Sequence, residues 1–264
     1  MQSDYHKEFE TLIRSISHSR QSWQAFSDFV EISAISLFQP FNRKEEREKR
    51  YLEIVGRYDR EEVQTFCRLL AITVAALEES KCDFLGEMFM RLELGSHFSG
   101  QFFTPFQVCQ MMGSMILADK DVELEKNGFI TVMEPCVGAG AMVIGLAQAM
   151  MEKGINYQRC LHVTAVDISP TAAQMAYMQL SLLHIPAIVY IGDSLTMEMR
   201  ESFVTPAHIM GFWGQRLKEN KAGVIKPDPA QARDEPPIKE VPEIKEPAYP
   251  IIKPDRPIQP SLFA

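Results

Sequence analysis

Val132-Met-Glu-Pro-Cys-Val-Gly-Ala-Gly-Ala141 decides the fold. It reads as a buried strand over Phe129 to Met133, an acidic residue, a glycine-rich turn, and an apolar helix starting near Ala141. Such a unit brings backbone N–H groups and the positive end of a helix dipole close to a ligand, with no side chains in the way. The spacing is Gly138-x-Gly140, without the third glycine of a dinucleotide fingerprint, so the turn taken alone is a weak signal. Two later strands strengthen it. A second apolar strand, Leu161-His-Val-Thr-Ala-Val166, ends in Asp167, and a third, Ala187-Ile-Val-Tyr-Ile191, runs into Gly192-Asp193-Ser194-Leu195. An acid closing the second strand is placed to hydrogen-bond ribose hydroxyls. An aspartate after the third can accept from an exocyclic amine. Together they suit a nucleoside ligand.

Upstream lies Gly100-Gln-Phe-Phe-Thr-Pro105. The order Gly-Gln-Phe-Phe-Thr-Pro, Glu-Pro-Cys-x-Gly-x-Gly, Val-Asp-Ile-Ser, Gly-Asp-Ser-Leu resembles the adenine-N6 DNA methyltransferases, most nearly the modification subunits of type I restriction systems. The matched region runs from Gly100 to Leu195. The resemblance implies an α/β, Rossmann-like S-adenosylmethionine-dependent methyltransferase fold, incomplete here and preceded by a helical domain. It also implies S-adenosylmethionine as cofactor. Phe103, Thr104 and Pro105 would lie near its methionine end, and Glu134 would face its amino group. Pro135, Cys136, Gly138 and Gly140 would shape the loop beneath methionine and ribose. Asp167 would hold the ribose with Ile168 against the adenine ring, and Asp193 would read the adenine amine. Simpler readings exist: Thr104-Pro105 as a helix start, as at Ser169-Pro170 and Thr205-Pro206, and Cys136 as a small core residue. Asp167 resists one, because a charge closing a buried strand has a partner or a ligand.

One piece of the resemblance is missing. The family's catalytic motif, Asn/Asp-Pro-Pro-Tyr/Phe at the end of the fourth strand, holds the target amino group and stacks on the flipped-out base. Here Leu195 is followed by Thr196 to Glu201, a predicted helix over Pro206 to Leu217, and a proline-rich tail. Asp228-Pro229-Ala230 and Asp234-Glu-Pro-Pro237 follow no strand and carry no aromatic. No catalytic residue is assigned, and the later strands of the sheet are expected to be absent.

Composition bounds the rest. A chain of 264 residues with 46% hydrophobic content can bury a sizeable core. Net charge is −8, which offers no global basic footprint for DNA. Arg43 to Arg50 interleaves both signs and reads as a solvated helix face. The five cysteines form no CxxC pair and the six histidines no cluster, which predicts reduced thiols, no metal site and a cytoplasmic setting. The longest apolar stretch, Leu69 to Leu77, is too short to span a bilayer, so no membrane partner is expected. Phe212-Trp213 reads as core rather than a base-stacking platform.

The chain divides into three regions. Residues 1–95 carry helix-period stripes such as Val63, Phe66, Leu69, Leu70, Thr73, Val74 and Leu77, and predict a helical domain. Residues 96–218 form the α/β domain, with helices near Pro105–Ala118, Ala141–Lys153, Pro170–Leu183 and Pro206–Leu217 and parallel strands. Residues 219–264 hold ten of the sixteen prolines and predict a disordered tail. Its end, Gln259-Pro-Ser-Leu-Phe263, resembles the bacterial sliding-clamp-binding peptide, with Gln259, Leu262 and Phe263 as the anchors. Two functions remain open. One is a methyltransferase subunit acting on DNA with a partner that supplies the missing half. The other is a non-catalytic regulatory or adaptor module with a clamp-binding tail.

Overall fold

In the computed structural model, residues 4–16, 21–92, 103–118 and 120–221 are described. The tail and its clamp-like peptide lie outside them, as do Gly100 to Phe102. The helical region comprises α1 (Tyr5–Ile16), α2 (Ser22–Phe38), α3 (Glu45–Val55), α4 (Arg60–Glu79) and α5 (Phe84–Arg91). Next come α6 (Phe106–Ala118), α7 (Asp121–Asn127), β1 (Ile130–Glu134), α8 (Ala141–Glu152), α9 (Tyr157–Cys160) and β2 (Leu161–Asp167). The chain then runs through α10 (Pro170–Leu182), β3 (Ala187–Asp193), β4 (Glu198–Val204), α11 (Pro206–Met210) and α12 (Trp213–Lys221). The sheet order is β1-β2-β3-β4, with the first three strands parallel and β4 antiparallel to β3.

The predicted helix starts hold. Ser169 caps α10 and Thr205 caps α11, each with proline in the first turn. The stripe on α4 is buried apart from Val74, and the helix opens on an Asp59–Glu62 capping box. An aromatic cluster fills the helical region: Phe9 meets Phe26, Phe29 and Phe84 edge-on, and Phe29 stacks on Phe66. This cluster is continuous with the core under the sheet, so the helical region and the α/β region share one apolar interior.

One face of the sheet is thickly covered. Val163, Ala165, Val189 and Phe203 lie at most 1% exposed under the helix layer. In that layer α6 packs on α8 and α2 packs on α10. α6 therefore occupies the β1 side, and α2, whose Phe38 touches Phe203, the β4 side. The α6–α8 crossing is backbone to backbone: a methyl group on Gly113 would meet the Leu146 nitrogen at 2.7 Å. The opposite face is covered at its lower end, where Trp213 of α12 packs on Phe129 and His162, and Val166 at its upper end is buried as well.

Several expectations need correcting. β1 is an edge strand whose Thr131 and Met133 are exposed, not a fully buried one. The segment after Leu195 contains β4, which the sequence hides because Glu198-Met-Arg-Glu-Ser-Phe-Val204 is polar for a strand. Its antiparallel course also breaks the expectation of parallel strands throughout. The helix expected over Pro206–Leu217 breaks at Gly211-Phe212, where Phe212 adopts φ +52°. That break sends Trp213 fully into the core and leaves Phe212 73% exposed. The Arg43–Arg50 run is not simply solvated. Arg47 is 6% exposed, with its guanidinium against both the Phe38 and Phe203 rings, 4.1 and 4.3 Å from their centroids. No helix among the described residues is long and apolar enough to cross a membrane.

Candidate functional site

The three parallel strands end together, and the segments singled out in the sequence converge on their carboxyl edge. β1 ends at Glu134, whose Oε1 accepts the Cys136 N–H at 3.2 Å and turns the chain into the glycine loop. The loop is then tied to β2 twice. Val137 N–H donates to the Val166 carbonyl at 2.9 Å, and Gly138 N–H donates to Asp167 Oδ2 at 2.8 Å. The other Asp167 oxygen accepts the Ser169 N–H at 2.9 Å. Gly138 and Gly140 sit at φ +56° and +105°, in the left-handed region where a side chain is strained. Gly140 leads directly into α8, whose free N–H groups face the same edge.

Phe103 completes the cluster. Its ring lies over Gly138, 3.1 Å from where a β-carbon would sit, and packs on Phe89 at 5.2 Å between centroids. The aromatic core of the helical region thus reaches the glycine loop through one ring. Thr104 and Pro105 are exposed beside it, at the start of α6. Cys136 is exposed, so its reading as a small core residue fails.

Asp193, at the end of β3, accepts from the Leu195 and Thr196 N–H groups through Oδ1, at 2.8 and 3.3 Å. Ile168 and Leu195, which follow the strand-ending acids, are 60% and 92% exposed. Two large apolar side chains thus stand exposed beside the strand-ending acids. Burial raises the Asp167 carboxyl above its usual range, while the N–H groups of Ser169 and Gly138 pull it back.

The sequence reading missed the support beneath the loop. Gln179 of α10, fully buried, donates to the Ala139 carbonyl at 2.8 Å and to Asp83 Oδ1 at 2.7 Å, and accepts the Leu85 N–H at 3.0 Å. Asp83 caps α5 through Gly86 N–H, and burial pushes its carboxyl up to about 6. One side chain therefore joins the loop, α10 and the helical region. A glutamine in a helix made largely of small and apolar residues was the only sequence signal. Arg200 of β4 was also overlooked: its Nη2 donates to the Ile168 carbonyl at 2.7 Å and steadies the turn after β2.

The described residues contain no group of three or more side chains placed to hold a metal. None of the five cysteines is paired. Phe212, exposed and following α11, lies far along the chain from the strand-ending acids and belongs to none of these contacts.

A parallel β-α-β-α-β unit with a glycine loop at its first turn and an acid closing its second strand defines a Rossmann-like α/β domain. The family model for N-6 DNA methylase matches residues 85–229, more than half of the 264-residue chain. The chain belongs to that family. A Listeria monocytogenes crystal structure described as a class I S-adenosylmethionine-dependent methyltransferase is 13% identical, with a TM-score of 0.37 over 81% of this chain and 70% of that one. That likeness is too distant to carry an argument. No curated protein matches the chain.

Proposed function

We propose that this chain binds S-adenosylmethionine at the carboxyl edge of β1–β3, as the cofactor-holding part of a DNA adenine-N6 methyltransferase, and transfers no methyl group alone. The carrying observation is the meeting of Phe103, Gly138 and Asp167, which come from three segments far apart in sequence. The residues fit the cofactor. Two glycines leave the loop without side chains, and exposed Ile168 and Leu195 offer apolar contact to a purine. Asp167 keeps lone pairs for ribose hydroxyls beyond its two backbone bonds, since a carboxylate offers about four acceptor sites. Glu134 and Asp193 supply acceptors for the amino groups at either end. When bound, the cofactor supplies the activated methyl group. DNA is the substrate that family membership implies. What this chain lacks is an aromatic, amide-bearing loop to grip an extruded base.

Calorimetric titration with S-adenosylmethionine and with its demethylated product tests the reading. Saturable binding is expected from both. Asp167→Ala should weaken binding by about 1–3 kcal/mol, the usual cost of losing a charge-assisted hydrogen bond. Unmodified DNA should gain no methyl groups from the chain alone. A well-folded chain that binds neither compound would overturn the cofactor assignment.

A further inference from the structure

α5 grips the glycine loop from both of its ends. At its start, Asp83 Oδ1 accepts from the Gln179 amide at 2.7 Å and from the Gly86 N–H at 3.0 Å. The same amide donates to the Ala139 carbonyl at 2.8 Å. Near the other end of α5, Phe89 packs on Phe103, whose ring lies over Gly138. Two neighbouring loop residues are thus tied to one eight-residue helix. Asp83, Phe89, Ala139 and Gln179 are all buried, so no solvent stands ready to replace these contacts.

The bond to Ala139 holds the most pliable part of the loop. The peptide unit joining Ala139 to Gly140 is fixed at two points, its carbonyl by Gln179 and its N–H by the Val137 carbonyl at 2.9 Å. Ala139 is flanked by glycines at φ +56° and +105°. Glycine passes between left- and right-handed backbone at little cost. Without the Gln179 donor this peptide unit can rotate, and a buried carbonyl left unpaired has reason to do so.

α1 holds α5 as well. Glu87 meets His6 at 2.9 Å, Arg91 donates to Glu10 at 3.1 Å, and Phe84 packs on Phe9. All three partners lie on α1. α5 therefore bridges α1 and the loop, and any shift in its seating reaches Ala139 through Gln179.

We propose that Asp83 and Gln179 are positioning residues for the cofactor. They transmit the seating of α5 to the glycine loop, so that cofactor affinity depends on the helical region. Cofactor binding in turn tightens α5, because coupling between two sites is reciprocal. At no more than 3% exposure, neither residue reaches the ligand itself. This rests on the reading that the loop holds S-adenosylmethionine.

The test joins calorimetric titration of the full chain, using S-adenosylmethionine and its demethylated product, to hydrogen–deuterium exchange with and without the product. Saturation should slow exchange in α5 about tenfold, as a coupled local opening does, and leave α3 unchanged. Gln179→Met and Asp83→Ala should each weaken affinity about tenfold, within the ordinary range of site-to-site coupling. Asp83→Asn keeps the acceptor and caps a helix equally well, so its affinity should stay within about twofold of wild type. Leu69→Ala is the control, a truncation of a fully buried side chain on α4. It should lower the urea midpoint and leave affinity unchanged, which separates positioning from general loss of stability. Affinities are compared where circular dichroism shows each variant folded. Unchanged α5 exchange on wild-type binding would overturn the proposal even if Gln179→Met does not fold. Wild-type affinity in a folded Gln179→Met chain would do the same, as would a Leu69→Ala chain weakened equally. Cofactor binding without the coupling sinks the positioning role alone; a folded wild-type chain that binds neither compound sinks the cofactor reading, and the positioning role with it.

Discussion

At the β4 edge, Arg47 of α3 donates to Glu201 at 2.7 Å and to the Ser202 carbonyl at 2.9 Å, with the Phe38 and Phe203 rings packed against its guanidinium. At the β1 edge a single carboxylate, Glu123, touches one backbone N–H, and Met133 stands in solvent. Both are outer strands of one sheet, yet one is sealed by a cation, two rings and a helix pair, and the other meets the short helix α7 and leaves Met133 exposed. The helical region explains the difference. It wraps α10 and β4 and leaves α8 and β1 to α6 and α7. Helices α2, α4 and α5 lie against α10, and α2 and α3 reach β4 through Phe38 and Arg47, whereas β1 meets the short helix α7.

Four substitutions sharpen or break that contrast, beginning with the largest effect. Gln179→Leu strands the Ala139 carbonyl and the Leu85 N–H and leaves the buried Asp83 carboxyl with the Gly86 N–H but without its side-chain donor. It should cost about 3–5 kcal/mol in urea unfolding, given 1–3 kcal/mol per unsatisfied buried group. A loss no greater than an ordinary surface change would show that the network bears no stability. Arg47→Leu removes the cation that seals β4. Glu201 is partly exposed and can rehydrate, so the loss should be smaller, about 2–3 kcal/mol, below that of breaking a fully buried pair.

The third concerns the lower end of the second face, where α12 covers His162. Burial under Trp213 and the nearby His208 and Arg216 push the His162 imidazole down to about 3, from an ordinary value near 6.5. Between those limits the unfolded chain binds a proton that the native chain refuses. This group's contribution to stability is therefore present above pH 6.5 and is lost as pH falls toward 3. His162→Gln should flatten the stability profile over that window relative to wild type, read by urea midpoints at several pH values. Parallel profiles would mean that His162 is protonated without cost.

The smallest effect is expected at the open edge. Met133→Lys should change the stability of the isolated chain by no more than about 0.5 kcal/mol, as surface substitutions do. A large loss would mean that β1 is already covered in solution, and the contrast between the edges would collapse.

The site was more legible in the sequence than the fold around it. Glu134, Gly138, Gly140, Asp167 and Asp193 stood out in the sequence because each does a local job: ending a strand, permitting φ above zero, or capping a turn with its own carboxylate. Gln179 and Arg200 were missed because their partners lie 40 and 32 residues away in the chain, a distance that no periodicity encodes. β4 was missed for a related reason. Its Glu201 looks like a solvated charge until Arg47, 154 residues earlier, is brought against it.

Local chemistry by itself determined the three strand–loop units, the capped helix starts, the glycine turn at the first of those units and the absence of the Asn/Asp-Pro-Pro-Tyr/Phe sequence. Those features depend on residues within a turn or two of one another, where backbone conformation and hydrogen-bonding capacity follow directly from residue type. Tertiary structure alone decided which strand became the edge, which arginine went inside, and how Phe103 came to lie on Gly138. Each of those outcomes depends on which surfaces the helical region covers, and packing selects them only once the whole chain has collapsed onto one core.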